Sequence, residues 1–276
     1  MRIIKIFIVL AALQNVFFGQ TETRLFPDKL NIQPFTANIL EPRVGVSFQL
    51  NNNELRLDIG NSLDIVRFNI DQNTHLSIGA DFFTFTLLRG EHDFHFPVDA
   101  VDYLFGINAG FKKKIDETEI GARFRLSHIS SHFVDGHFDF KNEIWRNGLN
   151  PRVYSREFLE FIPFYKIDNF RVYGGAAYIF HVDPKYIGKM NYQAGFDWFF
   201  ENVLFEYAHP FIAYDLKLID INGFTANNTI NAGLKIGHSA GKGISIYYTF
   251  YSGKSVHGEY FDFNKNYSAI GFNLDL

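Results

Sequence analysis

Apolar residues recur at every second position in segment after segment of this chain. That period is what an extended strand with two unlike faces requires. In RVGVSFQL, Val44, Val46, Phe48 and Leu50 alternate with Arg43, Gly45, Ser47 and Gln49. In VDYLFGINAGF, Val101, Tyr103, Phe105, Ile107, Ala109 and Phe111 form one row, with Asp102, Gly106, Asn108 and Gly110 in the other. NYQAGFDWFFE, NTINAGLKIG and YSAIGFNLDL repeat the pattern. A soluble periplasmic β-sandwich alternates too, so the period alone leaves that fold open.

Strand length tilts the balance. The alternation maps about twelve strands, near 43–50, 54–60, 74–88, 100–113, 117–131, 152–165, 168–181, 191–201, 202–218, 227–237, 243–252 and 265–276. Several far exceed the roughly five or six residues usual in globular sheets and match the tilted segments that cross a bilayer. From the third connection onward, long and short links alternate, as in outer-membrane barrels with short periplasmic turns and long outer loops. Phe 33 and Tyr 14 against Met 2 suit a surface that must coat itself in apolar and aromatic side chains. The expected fold is all-β: a closed antiparallel transmembrane β-barrel over residues 43–276, in the outer membrane of a Gram-negative bacterium. Residues 61–73 fit no strand well.

Residues 1–19 read as a secretory signal, with Arg2 and Lys5 ahead of the apolar run 6–18. Residues 20–42 read as an irregular lead-in or plug. The chain holds no cysteine, which excludes disulfides and a lipoprotein anchor. Its net charge is −4, with no basic block, so nucleic acid is not an expected partner. No cofactor is expected. The expected partners are outer-membrane lipids, lipopolysaccharide and the barrel-assembly machinery.

Residues 126–136 read LSHISSHFVDG. Ile120, Ala122, Phe124 and Leu126 form the outward apolar row of their strand, opposite Gly121, Arg123, Arg125 and Ser127. If that register holds, His128 and Ser130 continue outward near the outer rim, although one slipped residue would swap the faces. A serine beside a histidine, with a carboxylate behind the ring, is an acyl-transfer constellation. The plainer alternative is a polar rim network of His128, Ser130, Ser131, His132 and Asp135 that satisfies loop backbone and lipid headgroups. A metal reading draws on His92, His95, His128, His132, His137 and His181 with Asp93 or Asp135, but the spacings match no closed zinc site. Arg123 and Arg125 on the lumen row would favour anions in a small-solute pore, or pair with Asp102, Glu160, Asp197 and Glu201 in a plugged barrel.

The H-x-S pair on one strand face resembles the lipid A deacylase family of outer-membrane barrels. That resemblance implies His128 as base and Ser130 as nucleophile. It implies Glu143 in FKNEIW as the acid by spacing, with Asp135 as second choice. Ser131 departs from that family's pattern, which usually has Asn there. A resemblance over nearly the whole chain is to an uncharacterised envelope family, domain of unknown function 1207. It is carried by LFPDKLNIQPFTANILEPRVGVSF, FPVDAVDYLFGIN, RLSHISSHFVDG, NPRVYSREFLE, FRVYGGAAYIFHVDP, YQAGFDWF, PFIAYDLKL and YSGKSVHGEYF. It implies an outer-membrane barrel and supplies no reaction. It marks His128, Ser130, Ser131, His132 and Asp135 as a signature.

Overall fold

The alternating segments become long hairpins. In a computed structural model that describes residues 22–275 apart from 202 and 204, the strands are β1 (Val44–Gln49), β2 (Glu54–Asn69), β3 (Thr74–Arg89), β4 (Val98–Ile115), β5 (Thr118–Phe133) and β6 (Tyr154–Ile167), followed by β7 (Phe170–Asp183), β8 (Met190–Phe199), β9 (Ala208–Asp220), β10 (Phe224–Gly237), β11 (Gly243–Lys254) and β12 (Asn264–Asp275). Each pairs antiparallel with its sequence neighbour, and β12 returns to pair with β1, closing a twelve-stranded barrel. The short strand Glu22–Leu25 adds to the far end of β2, outside the ring. The expected signal segment 1–19 lies outside the described residues.

The faces follow the sequence pattern. On β5, Phe124 and Leu126 point outward and are exposed, while Arg123 and Arg125 point into the lumen and are buried. Outward Ile107, Phe161, Tyr178, Ile230, Tyr248 and Phe272 continue this apolar coat around the ring.

The lumen is filled. Residues 26–43 run into it from the end where β1 begins and β12 finishes. Phe35 has 0 % exposure and lies between two guanidinium groups, those of Arg123 at 4.7 Å and Arg171 at 4.6 Å from its ring centre. Arg171 also donates to the carbonyls of Gln33 (2.8 Å) and Pro34 (2.6 Å), and Asp197 accepts from the Thr36 N–H (2.8 Å). Arg123 binds both Glu41 oxygens, at 2.8 and 2.6 Å, and Arg125 adds a third bond at 3.1 Å. Arg125 also donates to Asp81 at 2.8 Å. A buried carboxylate shared by two arginines is tolerable only because every charge there has a partner. Residues 26–43 thus occupy the lumen in the manner of a plug, whereas the pore reading requires an unobstructed lumen.

The opposite end is closed by residues 255–263. His257 Nδ1 lies 2.7 Å from Asp102 Oδ2, and Asp102 Oδ1 accepts from the Gly258 N–H at 2.7 Å. Phe261 packs with Phe83, Phe85, Leu104, Ile129 and Phe158 in an apolar core inside the barrel. The lumen face is therefore richer in aromatic side chains than the polar-or-glycine face expected from the alternation. The expected partners of the lumenal arginines also divide. Glu160 reaches Arg123 (3.4 Å) and Asp197 binds Arg171, whereas Glu201 accepts from the Ser239 hydroxyl (2.5 Å) at the barrel end.

Three boundaries differ from expectation, each for a physical reason. Residues 61–69 complete β2. Their alternation is masked by Asn61 on the outward face and by a bulge between Asp64 and Val66. Residues 205–207 do not begin β9, and residues 202 and 204 of the expected strand lie outside the described residues. A continued strand would have turned Phe205 and Tyr207 toward the lumen and Glu206 into the outward apolar row, and both aromatics are instead exposed outside the ring. The link after β9, expected to be long, is a tight three-residue turn after the Asp220–Phe224 pair, in which Asn222 (φ 55) and Gly223 (φ 105) take left-handed backbone. Alternation of long and short links therefore breaks at 200–207 and at 221–223.

Candidate active site

Strand register gathers the site. Across β4–β7, Phe105 pairs with His128, His128 with Glu157, and Glu157 with His181. One row below, toward the end with the chain termini, Ile107, Leu126, Leu159 and Tyr178 are paired in the same way, and all four are exposed apolar side chains. One row above, Tyr103, Ser130, Ser155 and Asp183 are paired. The outward face thus changes from wholly apolar to polar within a single row, and His128 and Glu157 stand on that line.

Within this row, His128 Nδ1 donates to Glu157 Oε1 at 2.6 Å, and His181 Nδ1 lies 2.5 Å from Glu157 Oε2. An ionised carboxylate only accepts, so each ring must carry its proton on Nδ1. That leaves His128 Nε2 as a free acceptor. The His128 ring also packs on Phe105, with centroids 4.8 Å apart.

Ser130 lies two residues on along the same strand, so it leaves the sheet on the same face, about 7 Å away along the backbone. Among the described residues its hydroxyl makes no hydrogen bond within 3.5 Å. A catalytic serine and base commonly close their contact only around substrate. The outward register expected for His128 and Ser130 is the observed one, with buried Ile129 and Ser131 on the other face.

The remaining signature residues separate. Ser131 faces the lumen, where its hydroxyl accepts from the Glu259 N–H at 3.1 Å. It anchors the 255–263 loop and takes no part in an outward cluster. His132 is outward and exposed, its ring centroid 6.2 Å from that of Tyr103. Asp135 begins a short 3-10 turn, Asp135–His137, in the long loop. Glu143, the acid implied by the deacylase resemblance, sits exposed on a turn of that loop with φ 54. The carboxylate at the His128 ring is that of Glu157. A sequence signal for it existed: in YSREFLEFIPFY it is the one charge in the outward row Glu157, Leu159, Phe161, Pro163, Tyr165.

Among the described residues no three His, Cys, Asp or Glu side chains gather in a way that could hold a metal ion. The histidines of the zinc reading are engaged separately: His137 is buried and stacked on Phe133 at 4.0 Å, and His95 binds Glu91 at 3.0 Å. Two cavities, of about 80 Å³ in the lumen and about 390 Å³ at the mouth beside the plug, lie away from the outward row.

A family model described as "Protein of unknown function (DUF1207)" matches residues 46–275. No curated protein matches the sequence. Among solved structures, the chain is similar to outer membrane phospholipase A from Escherichia coli, with 13% identity, 89% of this chain and 94% of that chain covered, and a TM-score of 0.55. An active-site mutant of that enzyme gives 15%, 89%, 94% and 0.56. The Salmonella typhi outer membrane phospholipase dimer with bound calcium gives 14%, 89%, 94% and 0.53. At such identities the likeness establishes the barrel fold.

Proposed function

Because the chain belongs to the DUF1207 family, whose description assigns no activity, we propose from the geometry that it is an outer-membrane lipid acyl hydrolase working at the outer leaflet. Ser130 is the nucleophile, His128 the general base and Glu157 the group that orients the base. The carrying observation is the His128–Glu157 bond on the outward face, with Ser130 one row above on the same face, at the row where apolar side chains give way to polar ones.

Location supports the substrate class. From Ile120 to His128 a strand rises about 27 Å, or about 21 Å along an axis tilted by roughly 40°. That is close to the height of the apolar band of an outer-membrane barrel, so the row sits where acyl chains meet headgroups. An ester bond of a phospholipid or lipopolysaccharide acyl chain lies at that depth. Such a substrate arrives laterally from the bilayer and needs no concave pocket. With the long loops outside, the plug and both ends of the barrel chain face the periplasm. The similar Escherichia coli barrel is an outer membrane phospholipase A and the Salmonella typhi one an outer membrane phospholipase, which agrees with the reading.

The chemistry follows from the side chains. His128 Nε2 takes the Ser130 hydroxyl proton as Oγ attacks the ester carbonyl. The tetrahedral intermediate collapses to an acyl-serine, and the proton passes to the departing alcohol. Water, deprotonated by the same nitrogen, then releases the fatty acid and restores the serine. Glu157 holds the ring and stabilises the imidazolium formed in both steps.

A long-chain fluorophosphonate tests this in detergent micelles. Mass spectrometry is expected to find the adduct on Ser130, and no adduct in Ser130→Ala or His128→Ala. Folded wild-type protein that stays unlabelled removes the proposal.

A further inference from the structure

His181 stands opposite Glu157 because of an irregularity in β7. Ile179 pairs with Phe158 and His181 with Glu157, so Phe180 is an extra residue in the ladder. Without that bulge Phe180 would face Glu157 and His181 would turn into the lumen beside Arg156. With it, Phe180 and His181 both point outward, and Val182 returns to the buried core. A bulge that re-aims one side chain at a carboxylate is the kind found beside working sites.

We propose that His181 is a positioning residue of this site, one that acts through Glu157 and never touches substrate. This rests on the hydrolase reading above and goes beyond it, because the triad is complete without His181. Glu157 has two oxygens, and a carboxylate bound on one alone turns about its terminal torsion. Here Oε1 accepts from His128 at 2.6 Å and Oε2 from His181 at 2.5 Å. Register places both imidazoles directly beside Glu157, one on each neighbouring strand, at the spacing of directly opposed cross-strand residues. The carboxylate is thereby clamped in the plane that fixes the His128 ring, and with it the direction of His128 Nε2. The His181 side chain is 60% exposed, so its value lies in geometry, not in burial. Supporting groups of this kind typically change activity by about ten- to a hundredfold.

The test compares His181→Ala and His181→Gln in detergent-solubilised full-length protein on a short-chain ester. His181→Ala is expected to lower kcat about tenfold with KM unchanged. His181→Gln keeps an N–H within reach of Oε2 and is expected to recover most of the loss. Equal impairment of the two variants, unchanged kcat in the alanine variant, or a change confined to KM overturns the proposal. A second readout does not depend on turnover. Nitrogen-15-edited NMR of histidine-labelled protein is expected to show the Glu157-bonded His128 Nδ1–H in the wild type and in His181→Gln, and to lose it to exchange in His181→Ala. If the wild type hydrolyses nothing, the hydrolase reading fails, and the NMR comparison still decides whether His181 orients Glu157.

Discussion

Replacing Glu41 by alanine should release the plug while leaving the barrel closed. Glu41 accepts two bonds from Arg123 and one from Arg125, and its side chain is 2% exposed. Removing one partner of a buried ion pair costs about 3–5 kcal/mol, mostly because the other charge is stranded. Here the stranding is partial. Arg125 keeps Asp81 at 2.8 Å, and Glu160 remains 3.4 Å from Arg123 and 3.7 Å from Arg125. The lower end of the range, about 3 kcal/mol, is therefore the better estimate, and it corresponds to about a hundredfold change in the undocking equilibrium. The assay is amide hydrogen exchange in detergent, read separately for residues 31–41 and for the strands. Plug amides should lose about a hundredfold in protection, and strand amides should change little, since the ladder closes on itself without the plug. Equal loss in plug and strands would refute the reasoning, because the plug would then be part of one cooperative unit with the barrel. No loss at all would mean that the Glu41 bonds contribute nothing to docking.

Other perturbations follow from the same contacts. Phe35→Ala should loosen the same plug amides, by about 3 kcal/mol or more, since a fully buried ring is lost from between two guanidinium groups. Unchanged protection would contradict this. In Gly258→Ala the new Cβ would stand 2.2 Å from the Tyr154 ring and 2.7 Å from Ser131 Cβ, so exchange in residues 255–263 should rise while fluorophosphonate labelling of Ser130 persists. Burial pushes the Glu259 carboxyl above its ordinary range, against the pull of N–H groups from Arg152 and Phe133. A carboxyl raised on folding loses stability as pH climbs from its unfolded value through its folded one. Protection of the 255–263 loop, corrected for intrinsic exchange, should accordingly fall as pH rises above the ordinary carboxylate range, and Glu259→Gln should abolish that fall.

The barrel was legible in the sequence because alternation encodes a face directly. A residue's parity along a strand says whether it meets the lumen or the exterior, and His128 and Ser130 inherit their outward aim from Phe124 and Leu126. What alternation does not encode is register between strands. Glu157 meets His128 only after the chain has traversed the link from 134 to 153, whose length says nothing about which residue of β6 will lie opposite. Spacing along the chain pointed to Glu143 instead. His181 was harder still, since one extra residue at Phe180 reverses the face that counting from Tyr178 assigns. The same limit hid the end of β2, where the bulge at Ile65 interrupts the parity. The Asn222–Gly223 turn was a missed local signal, because Asn-Gly between alternating segments is the composition that a tight hairpin demands.

The measurement closest to the central claim is the fate of membrane lipid. Purified protein is incubated with vesicles of bacterial phospholipid and lipopolysaccharide, and free fatty acid is quantified by mass spectrometry for the wild type and for Ser130→Ala. Release by the wild type and none by the serine variant is the expected result. Release that persists without the Ser130 hydroxyl, or a wild type that leaves every ester intact, would contradict the account.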